Sequence, residues 1–195
     1  MIIGIDFGAK EAGTTVIAAL RESNKVEFRT SLKGQDADDF ILGFIEQNPE
    51  VWLVYIDAPL SLPKVYNKNG EEGDFFFREA DRLTGAMSPM FLGGLTARAM
   101  KLAAQLRMKG IKVVETYPSK LAEVLKLKEI DYKGEKTSIP ANCDKLKDVS
   151  SFHFENDQIE NWHLFDALLC LYSAKRYEIQ ASMEFGNPLE GTITV

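Results

Sequence analysis

At 195 residues, with 45% hydrophobic and 27% charged side chains, the chain has the makeup of one folded domain with a full core, and two large domains or a disordered chain are excluded. A net charge of −6 excludes a surface coated with basic residues for nonspecific nucleic-acid binding, although residues 94–137 carry ten Lys or Arg against five Asp or Glu. A local basic surface is expected there, or simply a solvated Lys-rich face. No apolar run approaches a membrane span, and the N-terminus opens directly into a strand without a basic or cleavable leader. Cys143 and Cys170 are far apart and lack CxxC spacing. A cytoplasmic protein with no membrane association, disulfide framework or structural zinc site is expected, with Cys170 as core packing.

Residues 2–6 (Ile-Ile-Gly-Ile-Asp) are a short apolar run that stops at an acid and a Phe-Gly turn, the pattern of a buried strand reaching a sheet edge. Two more strands are predicted at 14–20 and 25–31, joined by an Arg-Glu-Ser-Asn turn, so the three form an antiparallel meander. Residues 36–47 place Phe40, Ile41, Phe44 and Ile45 on one helix face. A second buried strand at 51–56 again ends on a carboxylate, Asp57. A long loop at about 58–76 follows, rich in Pro, Gly, Asn and charge, with the composition of a lid or binding segment. The Phe75, Phe76 and Phe77 run at its end is expected to pack under the loop rather than to line a partner surface. Residues 94–109 repeat at helical spacing up to Gly110, and a short strand at 111–114 ends at Glu115. A helix is predicted at 119–127, an exposed loop at 128–142, and a long helix from about 157 to 177. The last residues, about 180–195, read as a tail that either adds a short edge strand or covers the core.

The chemistry rests on the carboxylates. Asp166 is the only acid in the apolar stretch 162–174, and an unpaired buried carboxylate costs on the order of several kcal/mol. It therefore needs a cation or a hydrogen-bond partner, unless it faces solvent or bonds a neighbouring backbone amide. One acid on the first strand of a meander, a second on the strand after one crossover helix and a third on a late helix is the order of an RNase H-type metal site. Asp6, Asp57 and Asp166 are the candidate catalytic residues and metal ligands. Such oxygen donors suit Mg²⁺ or Mn²⁺.

Several motifs carry a resemblance over nearly the whole chain. They are Gly4-Ile-Asp6-Phe-Gly8, Ile56-Asp57-Ala-Pro-Leu60, Arg78-Glu-Ala-Asp81-Arg82, Met87-Ser88, the helix bearing Arg98, Glu115-Thr-Tyr-Pro118 and Asp166-Ala-Leu168. Together they resemble the prokaryotic family of predicted RNase H-like nucleases known as domain of unknown function 429. The opening Asp and the late Asp-Ala-Leu are also similar to RuvC-type resolvases. The resemblance implies a single RNase H-like α/β domain over 1–195, with a mixed central sheet, an antiparallel three-strand meander and flanking helices. It further implies a metal-dependent nuclease. The chain departs from the pattern at 128–148, where no substrate-binding Lys can be assigned. Three residues before Asp166, where RuvC-type enzymes carry a second acid, stands His163.

In that reading two ions roughly 4 Å apart activate a water and stabilise the leaving oxygen of a phosphodiester in DNA or RNA. Asp6 bridges, Asp57 and Asp166 each complete one ion, and Glu115 is a fourth ligand or an outer acceptor. Arg78 and Arg98 are candidates for phosphate contact, or for structural pairs with nearby acids. His163 shares a helix face with Asp166, as a ligand, an acid/base, or a satisfied structural residue. Two rivals stand beside the nuclease. One is a non-catalytic nucleic-acid-binding or assembly module on the same fold. The other is an actin-like ATP-using enzyme, for which no second meander or Gly-rich phosphate loop is present. Separation of the three aspartates by more than about 8 Å would count against two-metal catalysis.

Overall fold

The computed structural model of the protein describes residues 1–66 and 72–195; residues 67–71 of the expected long loop lie outside the described residues. The chain folds as a mixed α/β structure around a five-stranded sheet. Strands β1 (Ile2–Asp6), β2 (Val16–Leu20) and β3 (Val26–Thr30) form the expected antiparallel meander, with Ser23 and Asn24 taking left-handed conformations in its second turn. The crossover helix α1 (Ala37–Gln47) starts at Asp36, whose side chain accepts from the amides of Asp38 and Asp39. Strand β4 (Leu53–Asp57) then pairs parallel to β1, and β5 (Lys112–Glu115) parallel to β4, giving the order β3-β2-β1-β4-β5.

Alternation along the strands divides the core in two. Ile3, Ile5, Ile17, Val54 and Ile56 face α1 and the long helix α4 (Gly94–Met108). Two short helices precede α4, α2 (Glu79–Thr84) and α3 (Pro89–Leu92). On the opposite face Ile2, Val16, Leu53 and Tyr55 meet the long late helix, which is covered in turn by α5 (Pro118–Val124) and α6 (Ile139–Ser150). That helix, α7 (Trp162–Glu178), is buried on nearly all sides from Leu164 to Ala174. Gly4 makes this packing feasible: a Cβ there would lie 2.0 Å from the Leu171 amide nitrogen and 2.5 Å from the Ala167 carbonyl oxygen. A bare backbone lets α7 rest directly on β1.

Three expectations are corrected and one open alternative is resolved. Residues 139–142, expected at the end of an exposed loop, instead open helix α6, because Pro140 sits in the first helical turn, where its missing N–H has no partner to lose. The last helix begins at Trp162 instead of about 157, capped by Asn161, whose side chain accepts from the Leu164 amide. The C-terminal tail takes the covering alternative, as a hairpin of β6 (Glu184–Asn187) with β7 (Gly191–Thr194) in a second sheet that lays buried Ile193 and Val195 on the core. Phe75 and Phe76 are 60% and 54% exposed, so the Phe run is not a core segment. Among the described residues, no helix is long and apolar enough to cross a membrane.

Candidate metal centre

The sheet register brings the first two carboxylates together. Asp6 and Asp57 are direct partners at the carboxyl ends of the parallel strands β1 and β4. Alternation places both on the α7 face, in line with Ile2 and Gly4 on one strand and Leu53 and Tyr55 on the other. The close approach at Gly4 holds α7 against β1 and so delivers Asp166 from the helix. One oxygen from each of Asp6, Asp57 and Asp166 lies within 4.8 Å of the other two, inside the limit of about 8 Å set above. Oxygens on opposite sides of one Mg²⁺ or Ca²⁺ ion stand about 4–5 Å apart, twice an ion–oxygen bond, so the donor set fits a hard divalent cation in both chemistry and span.

Three further side chains complete the cluster. Tyr132 donates its hydroxyl proton to Asp166 Oδ1 at 2.6 Å, and Lys133 Nζ pairs with Asp166 Oδ2 at 2.8 Å. His163 Nδ1 lies 2.8 Å from Asp6 Oδ2. Since a carboxylate only accepts, the proton of that bond belongs to Nδ1 and the other ring nitrogen points away. Lys133 is 44% exposed and has φ +62°, a left-handed conformation that a non-glycine residue adopts at some energetic cost. The backbone is thus turned to present this ammonium to Asp166. Sequence reasoning missed both Tyr132 and Lys133 within 128–148. The available signal was an aromatic beside a lysine in an otherwise charged stretch.

The electrostatics are those of crowded like charges. Burial of its carboxyl, followed by the charges of Asp6 and Asp166, raises Asp57 well above the ordinary carboxylate range. Burial pushes Asp166 up to about 6, with Lys133 opposing and Asp6 reinforcing the shift. His163 is raised by its bond to Asp6. Burial would lower Lys133, but Asp166, Asp57 and Asp6 outweigh it and hold the ammonium above its usual value.

These shifts give metal-free protein a definite pH dependence. A carboxyl whose folded pKa exceeds its unfolded value contributes stability that is complete below the unfolded pKa and lost as pH rises through the folded one. For Asp166 the window runs from about 4 to above 6 and is worth about 3 kcal/mol in total, with about half of it lost between pH 5 and 8. Asp57 and His163 act in the same direction. Chelator-treated protein should therefore melt at a higher temperature at pH 5 than at pH 8, and added Mg²⁺ should raise Tm more at pH 8. Differential scanning calorimetry of the four conditions checks this.

The other expected site residues lie elsewhere. Glu115 is not among the converging ligands. Arg78 Nη1 donates to its Oε2 at 2.7 Å and Nη2 to its Oε1 at 2.6 Å, while the Leu60 amide donates to Oε2 at 2.8 Å. Arg78 is 0% exposed and also pairs with Asp81 at 2.6 Å, so it cannot meet a phosphate at the surface. Arg78 thus takes the structural alternative, pairing with nearby acids, and Glu115 is its partner rather than a fourth ligand: with Asp81 they form a buried ion-pair network that ties α2 and β5 to the chain leaving Asp57. Arg98 takes the structural alternative. It donates to Asp38 at 2.7 Å and to the Gly8 carbonyl at 3.2 Å, and its guanidinium lies 4.6 Å from the Phe7 ring centroid. It braces the turn that follows Asp6. No protein-family model matches the chain, and no significant match is found among curated proteins.

Proposed function

We propose that the protein is a cytoplasmic, RNase H-like phosphodiester hydrolase that cuts nucleic acid with Mg²⁺ or Mn²⁺ held by Asp6, Asp57 and Asp166. The observation that carries this reading is the convergence of three carboxylates from two adjacent parallel strands and one helix within 4.8 Å. A meander followed by two parallel strands, with the third acid on a late helix, is the arrangement that the sequence resemblance implies. When bound, the metal supplies activation of a water and neutralises charge on the leaving oxygen. The chain's own groups do the rest. His163, oriented through Nδ1 by Asp6, has its second ring nitrogen available to take up or deliver a proton. Lys133 holds a positive charge at the rim, where a phosphate oxygen can exchange for Asp166 as its partner.

The Lys133–Asp166 pair also favours a second reading. An internal ammonium already neutralises part of the cluster, which suits a non-catalytic nucleic-acid-binding or assembly module that needs no metal. A Mn²⁺-dependent cleavage assay on single-stranded, duplex and branched DNA and RNA, with wild type beside Asp6→Asn, separates the two. Hydrolase function predicts cleavage of at least one substrate and its loss in the variant. Absence of cleavage by folded wild type across the panel would favour the module.

A further inference from the structure

A buried hydroxyl at the other edge of β4 has no part in the carboxylate site. Tyr55 lies in the middle of β4, wholly buried, and its Oη has no hydrogen-bond partner among the described residues. It lines a cavity of about 290 Å³ between β5 and the β6–β7 hairpin, which belong to separate sheets. Buried hydroxyls in native proteins are normally satisfied, and phenylalanine would fill the same space without an unpaired group. Packing alone therefore does not account for the hydroxyl.

The cavity's other groups indicate what would satisfy it. Burial, followed by the nearby Tyr177 and Glu184, pushes the Tyr55 phenol well above its ordinary value, so it remains a proton donor and calls for an acceptor. Two cations line the same space. Arg107 donates through Nη2 to the Val113 carbonyl at 3.1 Å, and Lys112 bonds the Tyr177 hydroxyl with its Nζ 4.0 Å from that ring's centroid. Against them stands Glu184. The other acid of the lining, Glu115, is already paired with Arg78. A buried donor and two side-chain cations on one lining match a ligand that is both acceptor and anion.

We propose that this cavity binds a small molecule through an oxyanion head, carboxylate or phosphate, one oxygen accepting from Tyr55 and its charge facing Lys112 and Arg107. The volume lies at the small end of ligand pockets, about 300–1,000 Å³, which selects a metabolite-sized ligand over a peptide or nucleic-acid strand. Glu115 lines both this cavity and a cleft of about 80 Å³ beside Asp57, so the ligand would sit next to a residue bordering the carboxylate site. The inference is independent of the hydrolase reading.

The test is isothermal titration and thermal unfolding of the metal-stripped full chain with inorganic phosphate, succinate and adenosine monophosphate. Wild type is compared with Tyr55→Phe and the surface variant Lys112→Ser. Saturable binding of at least one probe is expected, weakened about fivefold or more in Tyr55→Phe and tenfold or more in Lys112→Ser. Tyr55→Phe should melt no lower than wild type without probe. Preference for succinate over the two phosphates, or the reverse, identifies the head group. No saturable binding of any probe, or equal binding in wild type and both variants, would overturn the proposal.

Discussion

Replacing Asp57 by Asn should abolish metal-dependent cleavage while making the metal-free protein more stable. The carboxyl stands beside Asp6 in register and within 4.8 Å of both other acids, and burial disfavours its charged form. Asparagine keeps the shape and removes the repulsion. The expected gain is about 0.5–2 kcal/mol, the size of a typical stabilising substitution, or roughly 2–4 °C in Tm per kcal/mol for a chain of this length. The activity loss should be on the order of 10²–10³-fold or more, because a negative ligand that organises the reacting charge is gone. A structural carboxylate behaves otherwise, since its removal lowers stability. Thermal unfolding in chelator, paired with single-turnover cleavage in Mn²⁺, measures both effects on one sample. A lower Tm with retained cleavage would mean that Asp57 serves the fold alone.

Arg78→Met should be the most damaging single substitution to the fold. Arg78 is wholly buried and shared between Glu115 and Asp81, with a further bond from Nη1 to Ser61 Oγ at 2.8 Å. Removing the guanidinium strands two buried carboxylates, and breaking a buried pair from one side typically costs about 3–5 kcal/mol. That is a large part of the 5–15 kcal/mol that holds an ordinary domain together. The same loss frees the Leu60 amide's acceptor three residues beyond Asp57, so the end of the carboxylate strand loosens as well. Urea unfolding reads the first effect. A midpoint within error of wild type would show that the network adds nothing to stability.

The elements legible in the sequence were those with strong periodicity. The IIGID and LVYID strands and the meander stand where hydrophobic spacing placed them, the helix carrying Asp166 is present but starts at Trp162 rather than about 157, and the three aspartates meet as their order along the chain implied. What the sequence did not reveal depends on tertiary packing. Arg78 and Glu115 are 37 residues apart and pair only because α2 folds back over the end of β5, so no local pattern marks them as partners. Lys133 reaches Asp166 from a left-handed turn that composition does not encode. The loop expected at 128–142 gives way to a helix from Ile139, because Pro140 suits the first turn of a helix as well as it suits a loop. The exposed Phe75 and Phe76 show the same limit in reverse, since apolar character alone does not say which side chains the fold will cover.

The most direct test of the metal centre is isothermal titration of Mn²⁺ into chelator-stripped wild type, Asp6→Asn and Asp166→Asn at pH 7.5. The carboxylate cluster predicts saturable binding by wild type and at least a tenfold loss of affinity in each variant, with both variants folded. Absence of binding by wild type, or equal binding by all three proteins, would contradict a divalent-metal site at Asp6, Asp57 and Asp166.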